Sequence, residues 1–369
     1  FTNNTDGHLL LEPQSTNLVT YSEDFSEWTN TASETTDTAN SATSPSGESN
    51  ATKLQEANSS NSFHRLSKTI SLSSATDYSL SIFAKKGTLS NMQLMLLNTS
   101  DSKMFSKVFD LENGTLGETL TSGAGESLTD SKIEDMGNGW YRCSIVGQLS
   151  TTPNTFRINL ANASTGNTTS NGMVQYTGDG SGNIYIYGAQ LEALSYATSY
   201  IPTNGSTVTR DAETCKDAGE TIDFSSEGVL YAEIAALAND GTWREINLDD
   251  GSTNNAVEIR YKTTANQFQF VVRNGGTAVV APTVTISNPT EFMKVAFSYK
   301  TDDCKMYING TEVATDTSGT MPSGLNHLSF DWGGTNPFHG KCKAIRVYKE
   351  ALSDSELVTL YSKAKCFIF

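Results

Sequence analysis

The chain has little charge and few of the residues that enzymes and metal sites commonly use. Charged residues make up 18% of its 369 residues, and it has only four histidines and five cysteines. The cysteines form no Cys-x-x-Cys pair, and the histidines show neither metal-binding spacing nor an obvious triad with Ser or Cys and Asp. These absences argue against an enzyme, a zinc site and a disulfide scaffold.

Positive charge is also scarce. The chain has 25 Lys and Arg against 41 Asp and Glu, for a net charge of −16, and its basic residues form no stripe. We therefore expect no nucleic-acid partner. No run reaches the ~18 apolar residues of a membrane helix, so we expect no membrane insertion. No signal-peptide pattern is visible, and whether a segment precedes Phe1 stays open.

Short alternating segments separated by turn residues are abundant. The stretch Tyr78-Ser79-Leu80-Ser81-Ile82-Phe83-Ala84 alternates with the period of a half-buried strand. Asn309-Gly310 separates two such stretches and predicts a tight hairpin. Near the end, Ser353 with Glu356 three residues later predicts a capped helix. The sequence thus predicts an all-β protein of two β-sandwich (jelly-roll) domains in tandem, with one short C-terminal helix.

The length is too great for one ordinary sandwich and suits two. We predict a first domain over 1–203, a linker over 204–219 and a second domain over 220–369. Residues 29–50 are nearly all small and polar, and predict either a long loop or a polar edge hairpin. Cys304 and Cys342 both fall in predicted strands, and whether they pair is left open.

The second predicted domain carries motifs in a recognisable order. Residues 220–362 resemble the laminin-G-like, concanavalin A-like sandwich, which implies a lectin-like fold. The family usually has an acidic pair after its Phe-x-Gly-Lys motif, whereas this chain has Lys343-Ala344 there. The resemblance rests on Gly228-Val229-Leu230-Tyr231-Ala232-Glu233, Phe297-Ser298-Tyr299, Met306-Tyr307-Ile308-Asn309-Gly310, and the closing stretch from Phe338-His339-Gly340-Lys341 to Glu356.

The first predicted domain has motifs of its own. Residues 8–210 resemble a module common in phage tail and virion proteins, similar in outline to carbohydrate-binding jelly rolls. Related jelly rolls place Trp28 and Trp140 in the core. The resemblance rests on Leu9-Leu10-Leu11-Glu12-Pro13-Gln14-Ser15-Thr16-Asn17-Leu18, Tyr21-Ser22-Glu23-Asp24-Phe25, Gly139-Trp140-Tyr141-Arg142, and Tyr187-Gly188-Ala189-Gln190-Leu191-Glu192 with Ile201-Pro202-Thr203.

Together the two resemblances imply a bacteriophage virion component, such as a tail fibre, head fibre or capsid-surface protein. It would be assembled in the host cytoplasm and displayed on the virion surface. Its expected partners are other virion proteins, host cell-surface polysaccharide and further copies of itself. The main alternative is a purely structural capsid-decoration or fibre protein that acts through protein contacts. A polysaccharide-degrading enzyme is a further alternative, although the chain has no Glu-x-Asp-x-x-Glu run.

Sugar binding requires an aromatic face on which a sugar ring can stack, flanked by groups that bond hydroxyls. Trp243 follows a predicted turn, and Trp332 leads into a Gly-rich loop. With Arg244, Asn336 and His339 they form the predicted glycan-binding set. Structural packing remains the alternative interpretation for both tryptophans.

A calcium ion would require several oxygen ligands close together. Asp249 and Asp250 are the predicted metal ligands, with an ordinary acidic turn as the alternative. We expect no required cofactor, and calcium is the one ion that the sequence leaves open.

Overall fold

The protein is described by a computed structural model that covers residues 7–29, 34–72, 76–99, 102–123, 126–165, 172–219, 222–224 and 226–361. Strands dominate these ranges, and the α-helix in them lies near the C-terminal end. The prediction of an all-β protein with a short C-terminal helix is confirmed. No helix within these ranges is long and apolar enough to cross a membrane.

The strands are numbered in chain order. The earlier ones are β1 (Leu9–Leu11), β2 (Ser15–Asn17), β3 (Thr35–Ala42), β4 (Ala51–Glu56), β5 (Asn58–Ser62), β6 (Arg65–Thr69), β7 (Asp77–Lys86), β8 (Asn91–Asn98), β9 (Lys103–Asp110), β10 (Thr115–Ser122), β11 (Ser127–Gly137), β12 (Trp140–Gln148), β13 (Thr155–Ala161), β14 (Tyr176–Asp179), β15 (Asn183–Glu192) and β16 (Val208–Arg210). The later ones are β17 (Glu227–Ala236), β18 (Arg244–Asp249), β19 (Ala256–Tyr261), β20 (Gln267–Asn274), β21 (Thr277–Val280), β22 (Thr283–Thr285), β23 (Met293–Lys300), β24 (Cys304–Ile308), β25 (Thr311–Asp316), β26 (His327–Ser329) and β27 (Gly340–Tyr348), followed by the helix α1 (Asp354–Leu360).

The chain divides into two compact units. The N-terminal unit is Gln14–Asp211, and the C-terminal unit joins the segment that ends at Pro13 to the chain from Ala212 onward. The N-terminal unit has a five-stranded sheet (β10-β9-β8-β13-β6) and a six-stranded sheet (β11-β12-β7-β15-β4-β3). Alternate apolar residues of both sheets form one core, for example Leu94 and Ile158 from the first sheet and Ile82 and Ile184 from the second. This pattern is that of a β-sandwich.

The C-terminal unit is a second sandwich. The β17 sheet has the order β1-β27-β17-β23-β24-β25, and the β19 sheet has the order β21-β20-β19-β18-β26 with β22 paired to β20. Leu230 and Phe297 from the β17 sheet and Ile259 and Phe270 from the β19 sheet share its core.

Local signals predicted several elements correctly. The hairpin at Asn309-Gly310 joins β24 to β25, and both residues have the positive φ that such a turn requires, 50° and 81°. The carboxylate of Glu356 accepts hydrogen bonds from the backbone N–H (2.9 Å) and hydroxyl (2.6 Å) of Ser353, at the start of α1. Trp28 and Trp140 are buried in the N-terminal unit, as predicted.

The predicted linker and domain boundary need correction. Residues 204–219 are not simply a linker, because β16 pairs with β2 within the N-terminal unit and Ala218 bridges to Leu328 in the C-terminal unit. The segment β1, predicted as part of the first domain, pairs with β27 in the β17 sheet. The strands β1, β2 and β16 are three residues long, too short to show an alternation of side chains in the sequence. They pair through backbone groups, which every sequence has, so the sequence did not predict their partners.

Two open alternatives are resolved. Within residues 29–50, β3 forms the edge of the six-stranded sheet against β4. Its small polar residues suit an edge, where one side of the backbone faces solvent. Cys304 and Cys342 do not form a disulfide with each other. Their thiols lie near the backbone oxygens of Lys300 (3.5 Å) and Ala344 (3.4 Å).

Candidate functional site

The outer face of the β19 sheet carries charged side chains that are buried although they point away from the core. On β19, Val257, Ile259 and Tyr261 face the core, so Glu258 and Arg260 face outward. These two residues are nevertheless 0% and 9% exposed. Charged residues are rarely this buried unless they are paired, and here the pairing is extensive.

Arg260 is the centre of this network. Its Nη1 donates to a carboxylate oxygen of Glu245 on β18 and to one of Glu258, both at 3.0 Å. Its Nε and Nη2 donate to Oε1 of Gln269 on β20, at 3.0 and 2.8 Å. The ring of Trp243 lies over the guanidinium, with 4.6 Å from the ring centroid to Cζ. A cation–π contact thus covers a guanidinium that makes four hydrogen bonds.

A second stack lies further along the same face. The Nε of Arg273 lies 2.6 Å from the other carboxylate oxygen of Glu258, and its Cζ lies 4.9 Å from the ring centroid of Trp332. In the register of β19 and β20, Arg260 is opposite Gln269 and Arg273 is opposite Ala256. Four residues along a strand span roughly 13 Å. Two tryptophan–arginine stacks, each with a half-buried ring, therefore mark two points along one face.

The two tryptophans are presented by turns. Gly333 and Gly334 have φ of 56° and 80°, and the backbone groups of Trp332 and Thr335 bond each other at 2.6 and 3.0 Å. Positive φ at both central residues is the requirement of a type I′ turn, so the Gly-Gly pair fixes the position of Trp332. Before Trp243, Oδ1 of Asp240 accepts the backbone N–H of Thr242 at 3.2 Å.

Burial changes the proton affinity of the two glutamates. Burial, followed by the charge of Glu258, raises the pKa of Glu245 to about 7 against the opposing effect of Arg260. Burial also raises the pKa of Glu258, with Arg260 and Arg273 opposing it. Both carboxyls therefore hold protons more strongly than exposed glutamates do.

Three buried polar atoms of this region make no hydrogen bond within the part of the chain that the structure describes. They are Oε2 of Glu245, Oδ1 of Asn247 and Nε1 of Trp332. Residues 331–337 follow β18: the backbone oxygen of Asp331 accepts from the Asn247 amide, and that of Asn336 accepts from the Glu245 N–H. The unpaired acceptors and donor thus belong to β18 and the segment beside it, and because they are buried they can bond only a group or water that enters this network.

The structure does not bring the whole predicted glycan-binding set together. Trp243 and Trp332 belong to this face, and the amide of Asn336 lies 3.4 Å from Glu245. Arg244 alternates with Glu245 and points the other way: its guanidinium pairs with Asp240 at 2.9 Å and donates to the backbone oxygen of His339 at 2.9 Å. Arg244 is 3% exposed, so it fastens the end of the sandwich rather than the outer face.

His339 lies beside Arg244, whose guanidinium donates to its backbone oxygen. Burial, followed by the charge of Arg244, lowers the pKa of the imidazole. Its Nε2 is among the buried atoms without a hydrogen-bond partner in the described ranges. A ring in this position keeps the neutral form at neutral pH.

Asp249 and Asp250 bond to their own turn. Asp249 accepts the backbone N–H of Gly251 at 2.7 Å. One oxygen of Asp250 accepts from the Ser252 N–H (3.0 Å) and hydroxyl (2.6 Å), and the other accepts from the Asn255 amide at 2.7 Å. Among the described residues no group of three or more His, Cys, Asp or Glu side chains is placed to hold a metal ion. These hydrogen bonds favour the alternative interpretation, an ordinary acidic turn, and calcium binding by the two residues stays a prediction.

Several residues of this face escaped the sequence analysis. Periodicity alone predicts that outward charged residues on a strand are solvated, and it therefore gave no reason to select them. A usable signal was the repetition of outward charged or amide residues on three successive predicted strands. They are Glu245, Asn247, Glu258, Arg260, Gln269 and Arg273.

Part of the C-terminal unit matches the model of one known protein family. Residues 234–358 match the family model described as the Concanavalin A-like lectin/glucanases superfamily. The match includes β18, β19, β20 and the turn that presents Trp332. The expected lectin-like character of the second domain is supported over this range. No curated protein matches the chain.

Solved structures give weak likenesses. A native heptameric SAP-like pentraxin from Limulus polyphemus is 10% identical, with a TM-score of 0.32 over 40% of this chain and 74% of that one. Domains LG4-5 of the mouse laminin alpha1 chain are 9% identical, with a TM-score of 0.29 over 80% and 90%. Trypanosoma rangeli sialidase is 10% identical, with a TM-score of 0.31 over 84% and 60%. Scores this low do not establish a common fold over the whole chain.

Proposed function

We propose that the C-terminal unit binds carbohydrate on the outer face of the β19 sheet. The observation that carries the proposal is the pair of tryptophans, Trp243 and Trp332, held by Arg260 and Arg273 on one face. Each ring is only partly buried, and aromatic rings flanked by a few polar groups are the usual elements of sugar recognition. The concanavalin A-like lectin match covers this face.

The bonding groups available to sugar hydroxyls suit a neutral chain. The exposed hydroxyl of Thr335 and the partly exposed amide of Asn336 lie beside Trp332 and can bond sugar hydroxyls, whereas the unpaired atoms of Glu245, Asn247 and the Trp332 indole are buried. Because Arg260 and Arg273 already pair with glutamates, no unpaired cation of this face favours an acidic sugar. We propose that the ligand is a short stretch of neutral glycan that spans the two stacks.

We further propose a setting for this binding. The protein would be a structural component of a bacteriophage virion surface, in a fibre or appendage, that attaches to host cell-surface polysaccharide. The motifs of residues 8–210 support this setting, as does the acidic polar composition, which favours solubility on a particle exterior. Contacts with other virion proteins and with further copies of this chain belong to the same proposal.

One observation favours a second function, polysaccharide hydrolysis. Glu245 and Glu258 each lie 3.0 Å from the same nitrogen of Arg260, so the two bonded oxygens are at most about 6 Å apart, a bound that includes the separation of about 5–5.5 Å in retaining glycosidases. Both side chains are, however, 0% exposed. Binding is therefore the better-supported function, and a reducing-sugar assay on host polysaccharide distinguishes the two.

The test uses the full chain on an array of neutral and acidic bacterial surface polysaccharides. We expect saturable binding that Trp243→Ala and Trp332→Ala each weaken about tenfold or more, by loss of one stacking contact. Trp243→Phe keeps an aromatic face and should retain most of the affinity. Tyr348→Ala, a half-buried aromatic residue of the β17 sheet, is the matched control. If Trp243→Ala and Trp332→Ala bind as well as Tyr348→Ala, the two tryptophans do not form the glycan-binding site.

A further inference from the structure

The outer face of the five-stranded sheet in the N-terminal unit contains two arginines side by side. Leu66, Ile158 and their alternates face the core, so Arg65 on β6 and Arg157 on β13 face outward. In the strand register Arg157 is opposite Ser67 and Arg65 is opposite Asn159. The two guanidiniums are therefore diagonal neighbours on adjacent strands.

Among the described residues, one carboxylate pairs with these two cations, and it pairs with Arg65 alone. Nε of Arg65 pairs with Glu34 at 2.8 Å. Arg157 makes no ion pair in the described ranges; its Nε donates to the Ser67 hydroxyl at 3.1 Å and its Nη1 lies 3.2 Å from the sulfur of Met173. Nη1 of Arg65 lies 3.8 Å from the same sulfur. A thioether is only a weak acceptor, so Met173 does not replace an anion.

Burial of Arg157 makes its unpaired positive charge unfavourable unless an anion binds beside it. Arg157 is only 8% exposed, and a buried charge without an opposite charge destabilises the folded state. Burial, followed by the charge of Arg65, lowers the pKa of Arg157 to about 10, with Glu34 opposing. The contrast with the C-terminal unit is direct, because Arg260 and Arg273 there pair with two buried glutamates.

The surroundings of the arginine pair allow a ligand to approach. The Arg65 side chain is 26% exposed, and Phe63, Ser67 and Met173 are all partly exposed. The ring of Phe63 lies 5.1 Å from Cζ of Arg65. An aromatic ring, a flexible thioether and a hydroxyl thus border two guanidinium groups, which combines an apolar surface for a sugar ring with donors for an anion.

We propose that Arg65 and Arg157 form a second binding site, for the carboxylate of an acidic saccharide. Two arginines and one glutamate leave an excess of one positive charge, which a singly charged carboxylate neutralises and a phosphate dianion would exceed. Planar guanidinium groups bond carboxylates through paired N–H donors. This site is independent of the neutral-glycan face on the β19 sheet, and loss of either leaves the other in place.

The experiment measures binding by calorimetry at constant ionic strength, on the full chain carrying Trp243→Ala and Trp332→Ala so that the neutral-glycan face does not contribute. The probes are trigalacturonate, the neutral galactotriose of the same ring size, and inorganic phosphate. We expect saturable binding of trigalacturonate, none of galactotriose, and weaker binding of phosphate. Failure of trigalacturonate to bind, or equal binding of galactotriose or phosphate, would overturn the proposal.

Variants assign the site. Arg157→Gln should reduce trigalacturonate affinity about tenfold or more, through loss of a charge-assisted contact, and Arg157→Lys should restore only part of it. Arg65→Gln, at a more exposed position, gives the same test if Arg157→Gln does not fold. Lys132→Gln in the same unit, whose side chain is 46% exposed, is the control. Unchanged affinity in Arg157→Gln or Arg65→Gln would refute the site, and Trp243→Ala should leave it intact.

Discussion

Glu245 and Glu258 lie on adjacent strands and accept hydrogen bonds from the same nitrogen, Nη1 of Arg260, at 3.0 Å each. Both side chains are fully buried. Two carboxylates in this position are tolerable because one guanidinium serves both and Arg273 serves Glu258 again. The outer face of the β19 sheet therefore depends on the Arg260 charge for its stability as well as for the position of Trp243.

The first prediction concerns pH. The pKa of Glu245 is raised to about 7, above the ordinary 4.5, so between these values the folded state holds a proton that the unfolded chain has released. Stability contributed by that proton is complete below pH 4.5 and is lost as the pH rises towards 7. We expect Glu245→Gln to gain about 2–3 kcal/mol relative to the parent between pH 5 and pH 8.

The measurement for this prediction is urea denaturation of both proteins at several pH values. The exposed Glu350→Gln serves as the control substitution. A difference between Glu245→Gln and the parent that stays constant across the pH range would contradict the raised pKa.

The second prediction removes the shared guanidinium. Arg260→Ala leaves two buried carboxylates without their common partner, and breaking a buried ion pair costs about 3–5 kcal/mol. Lys262→Ala, two residues further along and bonded only weakly to Thr283 at 3.4 Å, should cost less than about 0.5 kcal/mol. The measurement is the free energy of unfolding of both variants and the parent. Similar losses in the two variants would show that the network contributes little to stability.

The third prediction concerns the helix. Leu357 is 0% exposed and packs with Tyr231 and Tyr307 of the β17 sheet, whereas the next residue, Val358, is 48% exposed. Leu357→Ala should lower the free energy of unfolding by about 2–5 kcal/mol, and Val358→Ala should lower it by less than about 1 kcal/mol. Thermal unfolding of the pair is the measurement. Equal losses would mean that α1 is not docked as described.

The fourth prediction concerns calcium. Because both oxygens of Asp250 are occupied by turn hydrogen bonds, we expect EDTA and added calcium to leave the melting temperature and glycan binding unchanged. A calcium-dependent rise in melting temperature that Asp250→Asn abolishes would show that the turn binds the ion after all.

Several features were predictable because their causes are local. The Asn309-Gly310 hairpin and the Ser353–Glu356 cap depend on conformations and contacts within a few residues. Burial of Trp28 and Trp140 followed from motifs of related jelly rolls. The glycan-binding role of Trp243 and Trp332 stays a prediction, and so does the virion setting.

Other features were not predictable because their causes lie far apart in the chain. The strand Leu9–Leu11 joins the β17 sheet through backbone bonds to β27, and no side chain in it specifies that partner. Arg244 and Glu245 are adjacent and equally polar, yet only the register of β18 decides that one fastens the end of the sandwich and the other faces outward.

The sequence by itself determined the all-β class, the turns and the capped helix, since alternation, glycine and capping residues act over a few positions. The tertiary structure alone decided which outward charges are buried. Arg260 and Glu258 would be solvated on an isolated strand, but Trp243 and the neighbouring strands remove them from water. Desolvation depends on everything packed around a group, and periodicity along one strand carries no information about it.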